Sequence, residues 1–386
     1  KQGGGIRLKL IYDVKDRPKF GPLVVYAIQQ LLAIMAATLV VPVITGHGMS
    51  SAAALFGAGM GTLVYVLFTK GRSPVFLGSS FAFLGSMAAA FAGGVSMQLG
   101  YLGLIIGATF AGLVYVVIAT IVKLVGVKWI NKIMPAVVIG PTVAIIGLSL
   151  AGNAIGDLTK GSVVINEVAV ASPLLAIFCG LVTLAVTMLC STYGSKSLRL
   201  IPFIVGILAG YAVALVLTLI GNAANVDAMK IINLSAFDIL FENGSLSLVK
   251  MPDFTFLSAF GGFSELNGSY LASIAVAYIP VAFVVFAEHI ADHKNISSII
   301  GKDLLEDPGL SRTLLGDGVG SIVGAFFGGC PNTTYGESVA CVAITRNASV
   351  ATIIGAAVGA ILISFINPFV AFVNSIPSCV MGGVCM

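Results

Sequence analysis

The chain reads as an all-α polytopic membrane protein. Hydrophobic residues fill 58% of its 386 positions and charged residues only 9%, whereas a soluble domain carries about 25% charged residues to cover its surface. Apolar runs of about 17 to 25 residues recur along it, each long enough to cross a bilayer as a helix. The third observation is a break. Residues 328–346, GGCPNTTYGESVACVAITR, lie where a span belongs, yet the stretch opens polar, glycine-rich and interrupted by Pro331. Non-helical backbone persists at membrane depth only when enclosed by protein or lining a wet cavity. Half-helices that begin mid-membrane are where transporters hold their ligands, so this stretch is half of a candidate substrate site.

The predicted spans follow in order. The first covers 22–43 and the second 52–68. The third, 75–91, follows Pro74 and carries GSSFAF, a second small and polar beginning. The fourth covers 99–122, the fifth 133–151, the sixth 173–189 and the seventh 201–220. A long polar loop then reaches residue 269. The eighth begins near Tyr270 and holds Glu288 and His289, and the ninth covers 314–327. The broken stretch is the tenth, the eleventh covers 350–366, and a twelfth is expected to have barely begun at Met386.

Charge placement supports this count. With the N-terminus inside, all but three of the 20 lysines and arginines fall on the cytosolic side, the exceptions being Lys160, Lys230 and Lys250. Miscounting one central span would scatter them over both faces, so the positive-inside rule puts the N-terminus in the cytosol. About twenty polar and basic residues precede the first apolar run, which is expected to stay as a span. The loop after span seven is acidic, with Asp227, Asp238, Glu242, Asp253 and Glu265, and carries sequons at Asn233, Asn243 and Asn267. It reads as a surface loop with a short hairpin, not a domain. The six cysteines have no CxxC spacing and no histidine at ligand spacing, so they read as reduced thiols, with no metal or cofactor expected. No basic run with interleaved aromatics points to nucleic acid.

An internal repeat is present. Residues 131–140, NKIMPAVVIG, share P-x-x-V-x-G with 374–382, NSIPSCVMG. By the span count the first copy runs outward and the second inward. Pro74 with Gly78, before span three, likewise answers Pro331 with Gly336, before span ten. Broken segments at matching places in two oppositely oriented halves mark an inverted-repeat transporter.

Charged side chains are rare inside the predicted spans, and Glu288 and Glu337 stand out. A carboxylate in hydrocarbon is costly unless it holds a proton, finds donors or faces water. Glu337 falls in the first turn of the half-helix, where free N–H groups and the helix dipole stabilise an anion. A role as a helix-end stabiliser alone leaves unexplained why the helix starts there. If the eighth helix runs to Asn295, Glu288 lies about 10 Å inside its cytosolic end. Asp292 follows four residues later on the same face, and two carboxylates on a low-dielectric face favour holding a proton. His293 and Lys294 are expected to form a solvated cytosolic cap. His289 either relays protons or fills a helix interface.

The other polar opening, Gly78, Ser79, Ser80 and Phe81, offers unpaired backbone groups opposite Tyr335, Gly336 and Glu337. Crossed extended segments there can hydrogen-bond each other and keep donors for a ligand. A planar heterocycle with alternating N–H and C=O groups matches carboxylate acceptors and backbone donors together. The run from Gly57 to Gly61, GAGMG, imitates a dinucleotide loop but has no strand before it, so it reads as a helix-packing face. Asp317, between glycines near the start of span nine, sits at the interface or supports the core. No triad, nucleophile–base pair or metal cluster supports an enzyme.

These residues resemble the nucleobase–ascorbate transporter (nucleobase:cation symporter-2) family, in its bacterial uracil permease branch. The likeness rests on AEHIADHKNISSIIGKDLLEDPGL at 287–310, on the tenth stretch, on QQLLAIMAATLVVP in span one and on GSSFAF in span three. These separate motifs stand in family order over nearly the whole chain. The tenth-span signature, Q/E-N-x-G-x-x-x-x-T-R/K, corresponds to Glu337-Ser338-Val339-Ala340 through Thr345-Arg346.

The resemblance implies a 7+7 inverted-repeat fold of fourteen spans, with spans 3 and 10 interrupted and the C-terminal spans missing from these residues. It implies a cytosolic segment at 1–20, a core domain at 21–123 (spans 1–4) and 270–366 (spans 8–11), and a gate domain at 124–221 (spans 5–7). The second half of the gate begins at 367–386, and 222–269 is an extracytoplasmic loop. A homodimer in the inner (cytoplasmic) membrane is implied as well. Substrate contacts are implied from Glu288, Glu337, Phe81, Ser80, Gly336 and Tyr335. Proton coupling falls to Glu288, Asp292 and His289, the proton being the coupling ion and no other cofactor being needed. The implied activity is uracil:proton symport into the cell by elevator-type alternating access, since glutamate at 337 matches the uracil branch where purine carriers carry glutamine.

The chain departs from the family pattern at four places. Ser338 and Ala340 replace the Asn and Gly of the signature. Gln30 stands where similar uracil permeases have histidine, and Asp292 where they have the histidine implicated in proton movement. An acid at 292 is closer to the purine branch, so a xanthine or mixed uracil–purine symporter is the alternative. An anion exchanger of the same architecture is disfavoured by two acids and no arginine at the broken segments.

Overall fold

The computed structural model describes residues 9–127, 154–165, 168–195, 198–242 and 245–386, with the single positions 129, 141, 144, 145, 148, 151 and 152. The first repeat copy at 131–140, most of span five and the sequon at Asn243 lie outside the described residues. In chain order the elements are α1 (Phe20–Thr45), α2 (Ser51–Phe68), β1 (Leu77–Ser79), α3 (Leu84–Ala90), α4 (Met97–Val125), β2 (Val164–Ile165) and β3 (Val168–Ala169). Then come α5 (Pro173–Tyr193), α6 (Pro202–Ala224), β4 (Phe241–Glu242), β5 (Ser245–Leu246), α7 (Thr255–Ala259) and α8 (Gly268–Ile300). The chain closes with α9 (Leu310–Gly328), β6 (Asn332–Thr334), α10 (Gly336–Thr345), α11 (Val350–Ile363), α12 (Asn367–Ser375) and α13 (Ser378–Cys385). Among the described residues six helices, α1, α2, α4, α5, α6 and α8, are long and apolar enough to cross a membrane. The polytopic helical class stands.

Local chemistry sets where several of these helices begin. Ser50, Ser96 and Asn267 cap α2, α4 and α8 by accepting from Ala53 N at 3.2 Å, Leu99 N at 3.1 Å and Tyr270 N at 2.9 Å, each satisfying a first-turn donor that has no partner within the helix. Pro173 and Pro202 open α5 and α6, where a missing N–H costs nothing. Gly301 ends α8 with φ 66°, the left-handed stop that glycine adopts freely.

Two compact units divide the chain: Lys1–Ala144 with Pro252–Ser364, and Ile145–Met251 with Phe365–Met386. In the first, α9 packs on α2 and α4, α11 on α1 and α2, and α8 on α4. The GAGMG run is a packing face: a Cβ on Gly57 would lie 2.6 Å from the Gly324 carbonyl oxygen and 3.2 Å from its Cα. Backbone cannot yield as a side chain can. Gly57→Ala is therefore expected to destabilise the protein by about 1–3 kcal/mol, read as a lower thermal melting midpoint in detergent.

Spans three and ten are not continuous helices. Each enters as a three-residue strand, and β1 pairs antiparallel with β6 through Leu77↔Thr334, Gly78↔Thr333 and Ser79↔Asn332. All six residues are buried, so each strand satisfies the other's backbone where no water is available. After β1 the chain makes a 3-10 turn, Phe81–Phe83, before α3. After β6 it enters α10 directly.

Helix α8 overruns the expected end at Asn295 and continues to Ile300. Glu288 therefore lies about 18 Å, not 10 Å, from the cytosolic end at 1.5 Å per residue. The expected solvated cap is corrected by the same extension. His293 is fully buried and Asp292 6% exposed, and only Lys294 faces outward. Asp317 is fully buried too, which decides between its two readings in favour of core support.

The N-terminal segment forms a strap over the turn that follows α10. Ile11 N donates to Arg346 O at 2.8 Å, Ala348 N to Tyr12 O at 3.0 Å and Val350 N to Val14 O at 3.1 Å. Lys302 Nζ donates to Asp13 Oδ2 at 2.7 Å and holds that carboxyl below its ordinary range. A carboxylate so depressed contributes stability above its unfolded value of about 3.9 and loses that contribution as pH falls through the folded value. Both partners are about half exposed, so the effect is small. Hydrogen exchange at Ala348 and Val350, corrected for intrinsic rate, is expected to quicken only in the acid limb below pH of about 4, and in Asp13→Asn already at neutral pH.

In the second unit α13 packs on α5 and α6, and the hairpins β2–β3 and β4–β5 close two loops. The chain end is not the start of a straight span. Helices α12 and α13 meet at 81°, with Pro377 capping α13. This end is tied by backbone bonds from Lys250 N to Phe365 O at 3.0 Å, Asn367 N to Leu248 O at 2.9 Å and Cys379 N to Lys160 O at 2.9 Å. The acidic loop after α6 contains the expected hairpin, β4–β5, and its residues are shared between the two units at Met251 and Pro252. All six cysteines are free.

Candidate functional site

The β1–β6 ladder positions the site. Beyond its three pairs, Ser80 N donates to Pro331 O at 2.9 Å and Tyr335 N to Phe76 O at 3.3 Å. The Tyr335 hydroxyl donates to Ser79 O at 2.5 Å. The Ser80 amide, expected to be free, is therefore spent on the ladder, although its hydroxyl has no partner among the described residues. Phe81 opens the 3-10 turn and Gly336 opens α10, so two helical segments leave opposite ends of one short antiparallel pair. First-turn amides have no acceptor inside their own helix, and their dipoles favour electron-rich partners at those ends. Phe81 is half-buried and Gly336 exposed, so both openings are accessible on an otherwise buried ladder.

Helix α8 packs against β6 and α10 and brings its carboxylates to this place. Asp292 Oδ2 accepts from Thr334 Oγ1 at 2.8 Å, and a Cβ on Gly336 would stand 3.7 Å from Asp292 Oδ1. Glu288, one turn earlier on the same face, lies within electrostatic reach of Asp292, Glu337 and Asp317. Glu288 and Glu337 are half-buried. Among the described residues no lysine or arginine pairs with any of these acids. Acid acceptors thus meet first-turn amide donors over a few residues, an arrangement suited to a flat ring that both donates and accepts.

Gln30 of α1, 2% exposed, donates through Nε2 to Ser338 Oγ. That oxygen also accepts from Phe76 N at 3.0 Å. Two residues that depart from the resembled pattern are therefore bonded to each other. Together they tie α1, the approach to β1 and α10 one residue past Glu337. His289, next to Glu288, turns instead to α9: its Nδ1 is 2.7 Å from Asp317 Oδ2 and its Nε2 3.0 Å from Thr313 Oγ1.

The structure thus gathers Glu288, Asp292, Glu337, Tyr335, Gly336, Ser80 and Phe81 around one ladder, with His289 behind them. Sequence reasoning did not pick out Thr334, Thr313 or the Gln30–Ser338 contact. A hydroxyl in the polar half of a broken span, within reach of a buried acid, is the signal that could have found Thr334. The partnership of Gln30 with Ser338, 308 positions apart, leaves no local trace. Among the described residues no group of three or more His, Cys, Asp or Glu side chains is arranged to hold a metal ion.

The Xan_ur_permease model, described as a permease family, matches residues 21–386. The uracil permease of Bacillus caldolyticus is 38% identical over 97% of this chain and 79% of its own length. The uracil permease of Escherichia coli (strain K12) is 34% identical over 96% of this chain and 77% of its own length. Among solved structures, the transmembrane domain of the cyanobacterial bicarbonate transporter BicA superposes with a TM-score of 0.66 at 16% identity, covering 96% of this chain and 89% of that one. At that identity the likeness speaks for the fold alone. A whole-chain family match and relatives above 30% identity leave one assignment: the chain belongs to the Xan_ur_permease family, and it is a multi-pass membrane transporter rather than an enzyme.

Proposed function

We propose that the protein is a uracil:proton symporter that moves uracil into the cell across the inner membrane, its N-terminus in the cytosol. The observation that carries this reading is the convergence of Glu288 and Glu337, from α8 and α10, on a ladder whose ends present first-turn amides. The ring N–H groups of uracil meet the two carboxylates, and its carbonyl oxygens meet backbone donors near Phe81 and Gly336. Tyr335 and Ser80 hold those segments in place. Relatives named uracil permease at 34–38% identity support the substrate.

Proton coupling follows from like charges in a water-poor place. Glu288, Asp292 and Glu337 cannot all be ionised without strong mutual repulsion, so binding a neutral ring and binding a proton support each other, with His289 adjacent. Transport is elevator-type: the core of spans 1–4 and 8–11 moves against a gate built from spans 5–7 and 12–14 of a 7+7 inverted repeat, within a homodimer. The antiparallel pairing of β1 with β6, one from each half, supports that symmetry.

The test is thermal stabilisation of the purified protein by a panel of nucleobases at two pH values. Uracil at about 100 times its Kd should add about 2.7 kcal/mol of stability, and more effectively at the lower pH. Asp292 gives xanthine a specific claim as the competing substrate. Greater stabilisation by xanthine, or its displacement of labelled uracil at lower concentration, would assign the protein to purines. No stabilisation by any base would remove nucleobases altogether.

A further inference from the structure

Behind Glu288 lies a buried group of side chains that substrate contact does not use. His289, Asp317, Thr313 and His293 are all fully buried, and the two imidazoles stack with centroids 4.0 Å apart. His293 Nδ1 lies 2.8 Å from His289 O. A carbonyl only accepts, so that nitrogen carries a hydrogen, and Nε2 accepts from the Tyr65 hydroxyl at 2.7 Å. Tyr65 in turn meets Ser73 Oγ at 2.7 Å. A neutral His293 ring thus finds a partner for each of its nitrogens.

The same counting applied to His289 leaves one proton over. With Thr313 Oγ1 donating its single hydrogen to Leu310 O at 3.1 Å, His289 Nε2, 3.0 Å from that oxygen, is the donor. A neutral ring would then turn a bare Nδ1 toward Asp317 Oδ2 at 2.7 Å. Two lone pairs do not approach to that distance, so a proton lies between them. The rival arrangement points the Thr313 hydrogen at Nε2 and leaves Asp317 an anion. That anion would be fully enclosed, with the Thr333 hydroxyl and the His289 Nδ1–H as its neutral neighbouring donors. Among the described residues no lysine or arginine pairs with it. The charged groups within electrostatic reach of Asp317 are acids, Glu288 and Asp292 from α8. Tyr115 of α4 and Tyr65 of α2 are the other titratable neighbours. A buried anion among other acids, with neutral donors but no cationic partner, is the costlier choice.

We propose that Asp317 is a positioning residue that shares one proton with His289, the two forming a charge-neutral pair that fixes the turn of α8 carrying Glu288. The pair rests on donor and acceptor counting in the unliganded protein; its consequence for transport rests on the nucleobase reading above. Because an Asn amide also donates to Nδ1, Asp317→Asn is expected to keep uracil affinity within about threefold, while Asp317→Ala, which leaves Nδ1 without a partner, weakens it at least about tenfold.

Nitrogen-15 NMR of histidine-labelled protein without substrate tests the pair directly. The chain has three histidines, so His47→Gln and His293→Gln identify the His289 signals. The expected result is a hydrogen on His289 Nε2 together with a hydrogen-bonded proton at Nδ1, unchanged between pH of about 6 and 9. A bare Nε2 would overturn the proposal, since it means the bare-carboxylate form. So would loss of binding in Asp317→Asn with the protein still folded. Failure of uracil to bind the wild type while the NMR signature holds would sink the substrate assignment and leave the pair standing.

Discussion

Glu337→Gln should weaken uracil binding about 10- to 100-fold, or about 1.4–2.7 kcal/mol, with little change in the unliganded melting midpoint. Glutamate offers acceptor oxygens only, whereas glutamine replaces one of them with an N–H donor that confronts the ring's own donor. Removing the charge also loses the strengthening that a carboxylate lends to a hydrogen bond. The fold should tolerate the change, because Glu337 is half-buried in the first turn of α10 and its helix-end contribution is about 0.3–1 kcal/mol. Calorimetric titration checks both parts. Undiminished affinity would take Glu337 out of the site, and a collapsed melting curve would give it a structural role instead.

Gly78→Ala should abolish detectable binding and lower stability together. A Cβ at this position would overlap Cε2 and Cζ of the Tyr335 ring, and Gly78 is itself paired with Thr333 in the ladder. The ring cannot swing clear without giving up the bond from its hydroxyl to Ser79 O, and Tyr335 directly precedes Gly336 and Glu337. The expected loss is about 1–3 kcal/mol from overpacking, with the turn that presents Glu337 displaced as well. A double mutant separates this mechanism from a general backbone effect. Trimming the ring in Tyr335→Ala should recover part of the stability lost in Gly78→Ala, a coupling of about 0.5–3 kcal/mol. Strict additivity of the two substitutions would mean that the ring is not what the new methyl meets.

Much of the architecture was legible because a bilayer leaves few choices. The length of the apolar runs foretold α1, α2, α4, α5 and α6 to within a few residues of their observed ends, and the start of α8. Breaks after Pro74 and Pro331 foretold two interrupted spans, since polar backbone at that depth must find partners. That the partners are each other follows from the same requirement, and the β1–β6 register meets it. The error at the end of α8 has one cause. The end of α8 was placed where charge begins, at Asp292, His293 and Lys294, because in a linear reading charge signals water. In the folded chain Asp292 is met by Thr334 and His293 by Tyr65, so polar groups are satisfied inside and the helix runs on to Gly301.

By itself the sequence determined that this protein crosses a membrane many times, that two spans are broken, and that two glutamates stand where charge is costly. Those properties depend on hydropathy and on backbone chemistry within a single segment. Only the tertiary structure decided which acids lie near one another, that Gln30 holds Ser338, and that His289 faces Asp317. Such contacts join residues from 28 to 308 positions apart. They are set by how helices pack around a three-residue ladder, and packing is a property of surfaces that no single stretch of chain contains.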